Sequence, residues 1–126
     1  MDDEEWEAVV THTRHVLVSV AAERSTITYD ALRHRLRADA NVDVDARGDR
    51  DLAAVLRAVS VAADDAGEGL LSAVVVRRSG LPGGGWFRLA QERGRVITDR
   101  GSTWRTEVEL VWSAFATTTA QQQTGA

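Results

Sequence analysis

Apolar residues in the first part of the chain recur with the period of an α-helix. Between Glu4 and Glu23 they stand three, four or seven positions apart, at Trp6, Val9, Val10, Val16, Leu17 and Val20. This spacing places them on one face of an amphipathic helix. The β-leaning tetrapeptide Ser25–Thr28 then predicts a minor strand, and Thr28 can cap a second helix from Tyr29 to Arg37.

The middle of the chain predicts a loop, a third helix and a strand. Ala38–Asp49 is rich in aspartate and reads as an extended loop. The next apolar stripe has the i, i+3, i+4, i+7 spacing of a core-facing helix, capped by Asp49 or Asp51 and ending at Gly67. Leu70–Val76 is an apolar, β-branched run of strand length.

The last third predicts a glycine-rich loop, a segment with two interpretations, and a final helix. Residues 77–85 contain serine, proline and four glycines and predict the loop. Trp86–Arg93 can be a strand that closes a hairpin with residues 70–76, or a helix that stops at Gly94. Helix propensity and the glycine stop favour the helix. Ser102 can cap the final helix, and the polar tail over residues 117–126 predicts disorder, which leaves one domain over residues 1–116.

The order of these elements is typical of a winged helix-turn-helix domain. Three helices, a short strand before the second, a strand after the third and a basic glycine-rich turn follow one another along the chain. The predicted fold class is therefore mainly α with a small β-sheet, in a winged helix-turn-helix architecture. In that architecture the third helix enters the major groove of DNA, and the loop after the strand contacts the backbone.

Composition narrows the class of protein further. The 126 residues include no cysteine, which excludes disulfide scaffolds, Cys-ligated zinc, iron–sulfur clusters and thiol nucleophiles. No apolar run approaches the roughly 18 to 20 residues that a membrane span needs, and the acidic first residues are unlike a signal peptide. We therefore expect a soluble, cytoplasmic protein without a membrane partner. Periodicity leaves open whether the tryptophan-rich terminal helices pack within a monomer or across a homodimer.

Charge alternates along the chain, and arginine supplies the candidate DNA contacts. The net charge is −4, yet residues 24–37 and 71–105 are net basic, and all fifteen basic residues are arginine. Arginine is well suited to phosphate. The arginines on the predicted loop, beside it, and on or before the third helix are Arg47, Arg50, Arg57, Arg77, Arg78 and Arg88. These residues predict a non-enzymatic protein that binds double-stranded DNA, such as a transcription regulator or a DNA-associated accessory factor.

Two other functions stay open at this point. Acidic residues on the third helix repel phosphate, so the same scaffold could instead be a protein-interaction adapter or inhibitor. If a helix begins near Trp86, free backbone N–H groups of Gly83, Gly84 and Gly85 could hold an anion or a nucleotide. The ordinary alternative is a flexible turn with glycines at positive φ, since the motif lacks the residues of a P-loop. Trp86 follows these glycines and is a candidate exposed ring for stacking.

The sequence does not indicate a metal site or a catalytic site. His12 and His15 stand three apart on the first helix, but two imidazoles without a third ligand make a poor metal site. No serine stands in the G-x-S-x-G context of a nucleophile elbow. We therefore expect no catalytic residue, no metal and no cofactor.

Two short stretches resemble the DNA-binding domain of the alkylguanine-DNA alkyltransferases and the alkyltransferase-like proteins. Residues 28–32 read TYDAL, similar to that family's T-Y-G-E-L segment, and residues 57–59 match its R-A-V segment. Over about residues 25–90, the resemblance implies a winged helix that binds DNA with Tyr29 and Arg57 near a nucleotide. The family's cysteine-bearing strand reads SAVVV here, so alkyl transfer is not implied. Residues 71–76 and 80–87 also look like a recurring block in uncharacterised bacterial and phage proteins.

Overall fold

Helices make up most of the fold. The computed structural model describes the backbone of residues 3–40 and 49–124, and the side chains of residues 3–39 and 52–116. Within those ranges the helices are α1 (Asp3–Ala22), α2 (Tyr29–Ala40), α3 (Asp49–Asp65), α4 (Gly84–Glu92) and α5 (Arg100–Thr124). A 3-10 helix over Leu71–Val74 and the strands β1 (Ile27–Thr28) and β2 (Val75–Val76) complete the description. The prediction of a mainly α protein with a small sheet is confirmed.

The two strands pair in parallel and set the position of the elements that follow them. Ile27 lies opposite Val75, and Thr28 lies opposite Val76. Because parallel strands end at the same edge, the start of α2 lies beside the loop that leaves β2. The Thr28 side chain accepts the N–H of Ala31 at 3.1 Å, which is the predicted cap of α2.

The apolar run before β2 corrects one prediction. Leu71–Val74 forms the 3-10 helix, and only Val75–Val76 is a strand. All six residues are buried, and the 3-10 helix packs against α1, α3 and α5. An apolar run that is covered on every side has no periodicity, so its sequence does not distinguish a strand from a buried helical turn.

Two further assignments concern the last helices. Trp86–Arg93 takes the helical alternative, as part of α4. The predicted cap of α5 is wrong, because the Asp99 carboxylate accepts the Ser102 N–H at 2.9 Å and so caps the helix three residues earlier. This hydrogen bond holds the pKa of Asp99 below its ordinary value.

The core is built around α1, which packs against α3, α5 and the 3-10 helix. The terminal helices α1 and α5 pack against each other within the chain, an arrangement that the periodicity left open. The indole N–H of Trp104 donates to the carbonyl of Ala73 at 2.8 Å, and that of Trp112 donates to the carbonyl of Ser25 at 2.9 Å. Trp6 packs partly buried against the same core. The largest fully buried side chains are Val16, Leu17, Leu32, Leu36, Leu52, Val55, Val59, Leu70, Leu71, Val74, Val75 and Val108.

A network of charged side chains joins α3, the loop after α4, and α5. Arg95 donates to Asp64 at 2.7 Å and to Glu107 at 2.9 Å, while Arg93 donates to Asp64 at 2.9 Å and also pairs with Asp65. The Asp64 side chain is 14% exposed and that of Glu107 only 4%. Hydrogen bonds from Arg95 hold the pKa of Asp64 below its ordinary 3.8; Arg93 adds to this, and desolvation partly opposes it.

Stability is expected to fall when Asp64 is protonated. Because the folded pKa lies below the unfolded one, this carboxylate contributes its full stabilisation above about pH 4. That contribution is lost as the pH falls through the lowered folded pKa. Urea unfolding of the Asp64→Asn variant should therefore give lower stability at pH 7 and a shallower loss between about pH 4 and pH 2. Equal acid sensitivity in the two proteins would contradict this role.

Some predictions concern features that the described residues do not test. The domain boundary at residue 116 and the disordered tail stay predictions, and the backbone of α5 continues past that boundary as a helix through Thr124. The winged helix-turn-helix assignment also stays a prediction. Among the described helices, none combines the length and apolarity that a membrane crossing requires. The described residues likewise contain no group of three side chains that could together hold a metal ion. The Nε2 atom of His12 lies 3.9 Å from the Oδ2 atom of Asp39.

Candidate anion-binding cleft

A cleft of about 540 Å³ is bounded by α2, α3, the end of β2 and the start of α4. Its charged lining side chains are all arginine: Arg33, Arg57, Arg77 and Arg88. No carboxylate is among the described residues that line it. The remaining lining residues are Tyr29, Leu52, Ala53, Ala54, Leu56, Ser72, Gly83, Gly84, Gly85, Trp86 and Leu89. The cleft therefore combines an apolar floor with a strongly positive rim.

The parallel strand pair brings the first two groups of lining residues together. Tyr29 follows β1 directly, and Arg77 follows β2 directly, so both leave the sheet at the same edge. Arg33 stands four residues after Tyr29 on α2, which places it on the same helical face. Arg57 extends from α3, whose buried residues Leu52 and Leu56 form the apolar side of the cleft.

The start of α4 presents backbone N–H groups to the cleft. Gly83 is the N-cap residue, and no side chain caps the helix. The N–H of Gly83 donates to the Tyr29 hydroxyl at 3.3 Å, and that of Trp86 donates to the carbonyl of Gly83 at 3.1 Å. The N–H groups of Gly84 and Gly85 have no partner among the described residues. Free N–H groups and the positive end of the helix dipole together favour a bound anion.

Gly83, Gly84 and Gly85, at the start of α4, do not have the left-handed backbone conformation that favours glycine. The expected turn with glycines at positive φ over residues 79–86 is confirmed at Gly80, with φ at 90°, and does not extend to Gly83, Gly84 and Gly85. A Cβ on Gly83 would lie 3.2 Å from the Arg77 Nε atom, so a side chain there would crowd that guanidinium. A Cβ on Gly84 or Gly85 would meet no atom within 4 Å. The helix start is thus bare backbone beside open space.

The four arginines differ in what they contact. Arg57 pairs with Glu92 at 2.5 Å on the protein surface, and Arg33 pairs with Asp30 at 3.2 Å. Arg77 and Arg88 are exposed and make no ion pair or side-chain hydrogen bond with the described residues. These two guanidinium groups are available to a ligand without breaking an internal contact.

Trp86 is buried, which corrects the expectation of an exposed stacking ring. It is 5% exposed and packs edge-on against Phe87, with 5.1 Å between the ring centroids. Its indole N–H has no hydrogen-bond partner in the described part of the protein. The ring therefore forms part of the cleft wall and carries an unused donor.

The structure brings together most of the site residues that the sequence singled out. Around the cleft lie Tyr29, Arg57, Arg77, Arg88, Gly83, Gly84 and Gly85. Arg78 does not line it, since its side chain is 93% exposed and lies 3.8 Å from Asp30. Arg47 and the side chain of Arg50 lie outside the described residues. Sequence reasoning missed Arg33, for which the four-residue spacing from Tyr29 was the available signal.

Known proteins do not identify the ligand of this cleft. No protein-family model, curated protein or solved structure matches the chain. The ligand chemistry is therefore indicated by the lining itself. Guanidinium groups, backbone N–H groups and a phenol all donate hydrogen bonds, and together they favour a phosphate or a carboxylate.

Proposed function

We propose that this protein binds double-stranded DNA through the face that contains the cleft. The observation that carries the proposal is a rim of four arginines with no carboxylate among the described lining residues. Two of these arginines, Arg77 and Arg88, have no ion pair with any described residue. Guanidinium groups bind phosphate oxygens in bidentate geometry, and phosphate contacts supply most of the affinity in DNA binding. We assign the protein the role of a DNA-associated regulator or accessory factor rather than an enzyme.

The arrangement around the cleft supports a winged helix-turn-helix mode of binding. The strand before α2 pairs with the strand after α3, so the loop at residues 77–83 lies beside α2. In our proposal this loop would serve as the wing and α3 as the recognition helix. Tyr29 and Arg57, which the alkyltransferase resemblance places near a nucleotide, line the same cleft.

The internal contacts of the remaining arginines do not oppose DNA binding. The pair between Arg57 and Glu92 is exposed, with side-chain accessibilities of 55% and 43%. Exposed ion pairs contribute only about 0 to 1 kcal/mol, so exchange of Glu92 for a DNA phosphate costs little. The net charge of −4 is that of the whole chain, whereas the charged residues among the described cleft lining are all arginine.

Fluorescence anisotropy with a labelled duplex tests the proposal. Binding should weaken with salt, with a slope of log K against log salt of about −3, which corresponds to three or four neutralised phosphates. A duplex of unrelated sequence in the same series separates the backbone contribution from base readout. Absence of binding at low salt would refute the DNA proposal and favour a protein partner.

A further inference from the structure

We propose that the cleft is a pocket for a phosphate monoester, carried either by the 5′-phosphorylated end of a DNA strand or by a free mononucleotide. The DNA-end source rests on the proposed function, whereas the mononucleotide source does not. In this proposal the cleft binds the terminal phosphate of a single nucleotide, and not the internal phosphates of a continuous DNA backbone.

A phosphate monoester matches the donors in the cleft better than an internal phosphate does, because it has more charge and one more terminal oxygen. A phosphodiester carries one negative charge and two non-bridging oxygens, while a monoester carries about −1.5 to −2 charge and three terminal oxygens. Around the start of α4 the donors are the N–H groups of Gly84 and Gly85 and the guanidinium groups of Arg77 and Arg88, none of which has a partner in the described part of the chain. Arg88 stands four residues after Gly84, on the same side of α4. A terminal phosphate satisfies this set better than a backbone phosphate.

Trp86 contributes an aromatic surface to the cleft wall. Its side chain is nineteen-twentieths buried in the cleft wall, and its indole N–H donates to no acceptor in the described structure. The indole nitrogen itself has almost no accessible surface, so what Trp86 presents to the cleft is the apolar part of its ring. An aromatic surface in the wall suits the base or sugar of a nucleotide.

The size and lining of the cleft fit one nucleotide. Its volume of about 540 Å³ lies within the range of about 300 to 1,000 Å³ typical of small-ligand sites. The apolar floor, from Leu52, Leu56 and Leu89, suits a base or sugar, while the arginine rim suits the phosphate. The concave shape encloses a terminal group more readily than the continuous outer surface of a duplex.

Two ligand comparisons test the pocket and distinguish its sources. In anisotropy, a duplex with 5′-phosphate ends should bind at least tenfold more tightly than the same duplex with 5′-hydroxyl ends. In calorimetry, deoxyadenosine 5′-monophosphate should bind saturably and deoxyadenosine should not. Binding of the mononucleotide without any duplex would support the pocket and refute the DNA function.

The opposite outcomes overturn the inference separately from the proposed function. If both duplexes bind equally and the mononucleotide does not bind, the monoester pocket is refuted while DNA binding stands. If neither duplex nor the mononucleotide binds, both proposals are refuted.

A pair of substitutions at Gly84 isolates the backbone donor. Proline is well accommodated at the first position of a helix, where its missing N–H has no intrahelical partner. The preceding Gly83, at φ −73° and ψ 170°, already has the extended conformation that a following proline requires. Gly84→Pro should therefore fold normally but bind the monophosphate at least tenfold more weakly, since a charge-assisted hydrogen bond is lost. Gly84→Ala keeps the N–H and should retain binding. Equal affinity in the two variants, with unchanged melting temperatures, would overturn the assignment.

Discussion

Replacement of Glu107 with glutamine is expected to lower the free energy of unfolding by about 3 kcal/mol. The carboxylate is 4% exposed, accepts the N–H of Leu70 at 2.9 Å and receives two hydrogen bonds from Arg95 at 2.9 and 3.0 Å. Glutamine has the same shape, but its amide group brings a donor toward groups that are themselves donors. A buried charge then loses one of its partners. The cost stays at the lower end of the range for broken buried pairs, because Arg95 keeps Asp64.

The backbone around Glu107 gives no room for a compensating shift. Gly69 is in the left-handed region, with φ at 84°, and a Cβ there would lie only 3.0 Å from the Oε2 atom of Glu107. The carboxylate thus lies between the start of the 3-10 helix and the loop after α4, and it accepts hydrogen bonds from both. Loss of its charge leaves at least one donor on Arg95 or Leu70 unpaired.

Urea unfolding at pH 7 measures this effect, with Glu109→Gln as the matched control. Glu109 stands two residues further along α5 and is exposed, so its replacement should change stability by less than about 0.5 kcal/mol. In a thermal melt, the Glu107→Gln change should lower Tm by about 10 °C for a chain of this size. A shift no larger than that of the control would show that the network does not depend on the carboxylate charge.

The spacing of apolar residues was sufficient to predict the long helices, because each of these helices buries one face and exposes the other. The stripes of α1 and α3 identify the residues that pack between them, such as Val16, Leu17, Val55 and Val59. The segment before β2 was not predictable in this way. This segment is covered by α1, α3 and α5, so all of its side chains face apolar surroundings. Its sequence therefore lacks the periodicity that would distinguish a strand from a helical turn.

The candidate cleft could be predicted residue by residue only in part. Tyr29 and Arg77 are 48 positions apart, and their proximity depends on the parallel register of two strands of two residues each. No periodicity encodes such a pairing. The neighbours Arg77 and Arg78 look alike in the sequence, yet only Arg77 lines the cleft, while the Arg78 side chain is 93% exposed and lies near Asp30. Arg33 differs from Arg35 and Arg37 in its four-residue spacing from Tyr29, a signal that becomes useful once Tyr29 is known to line the cleft.

The double substitution Arg77→Ala and Arg88→Ala is expected to weaken duplex binding by about 10- to 100-fold at about 0.1 M salt. Both side chains line the cleft and neither has an internal ion pair among the described residues, so their loss removes phosphate contacts rather than structural ones. Each neutralised phosphate contributes about 0.9 to the slope of log K against log salt, and the slope should therefore become less negative by about 2.

The salt slope decides whether these arginines contact DNA or only contribute to its long-range attraction. Arg105→Ala is the control, because Arg105 is exposed on α5 and does not line the cleft. This control removes one charge and should leave both affinity and slope nearly unchanged. The double variant should also unfold within about 0.5 kcal/mol of the original protein, since exposed, unpaired side chains contribute little to stability. If the double variant keeps the original slope, with affinity reduced no more than in the control, DNA does not contact Arg77 or Arg88. In that case the arginine rim has a ligand other than the DNA backbone.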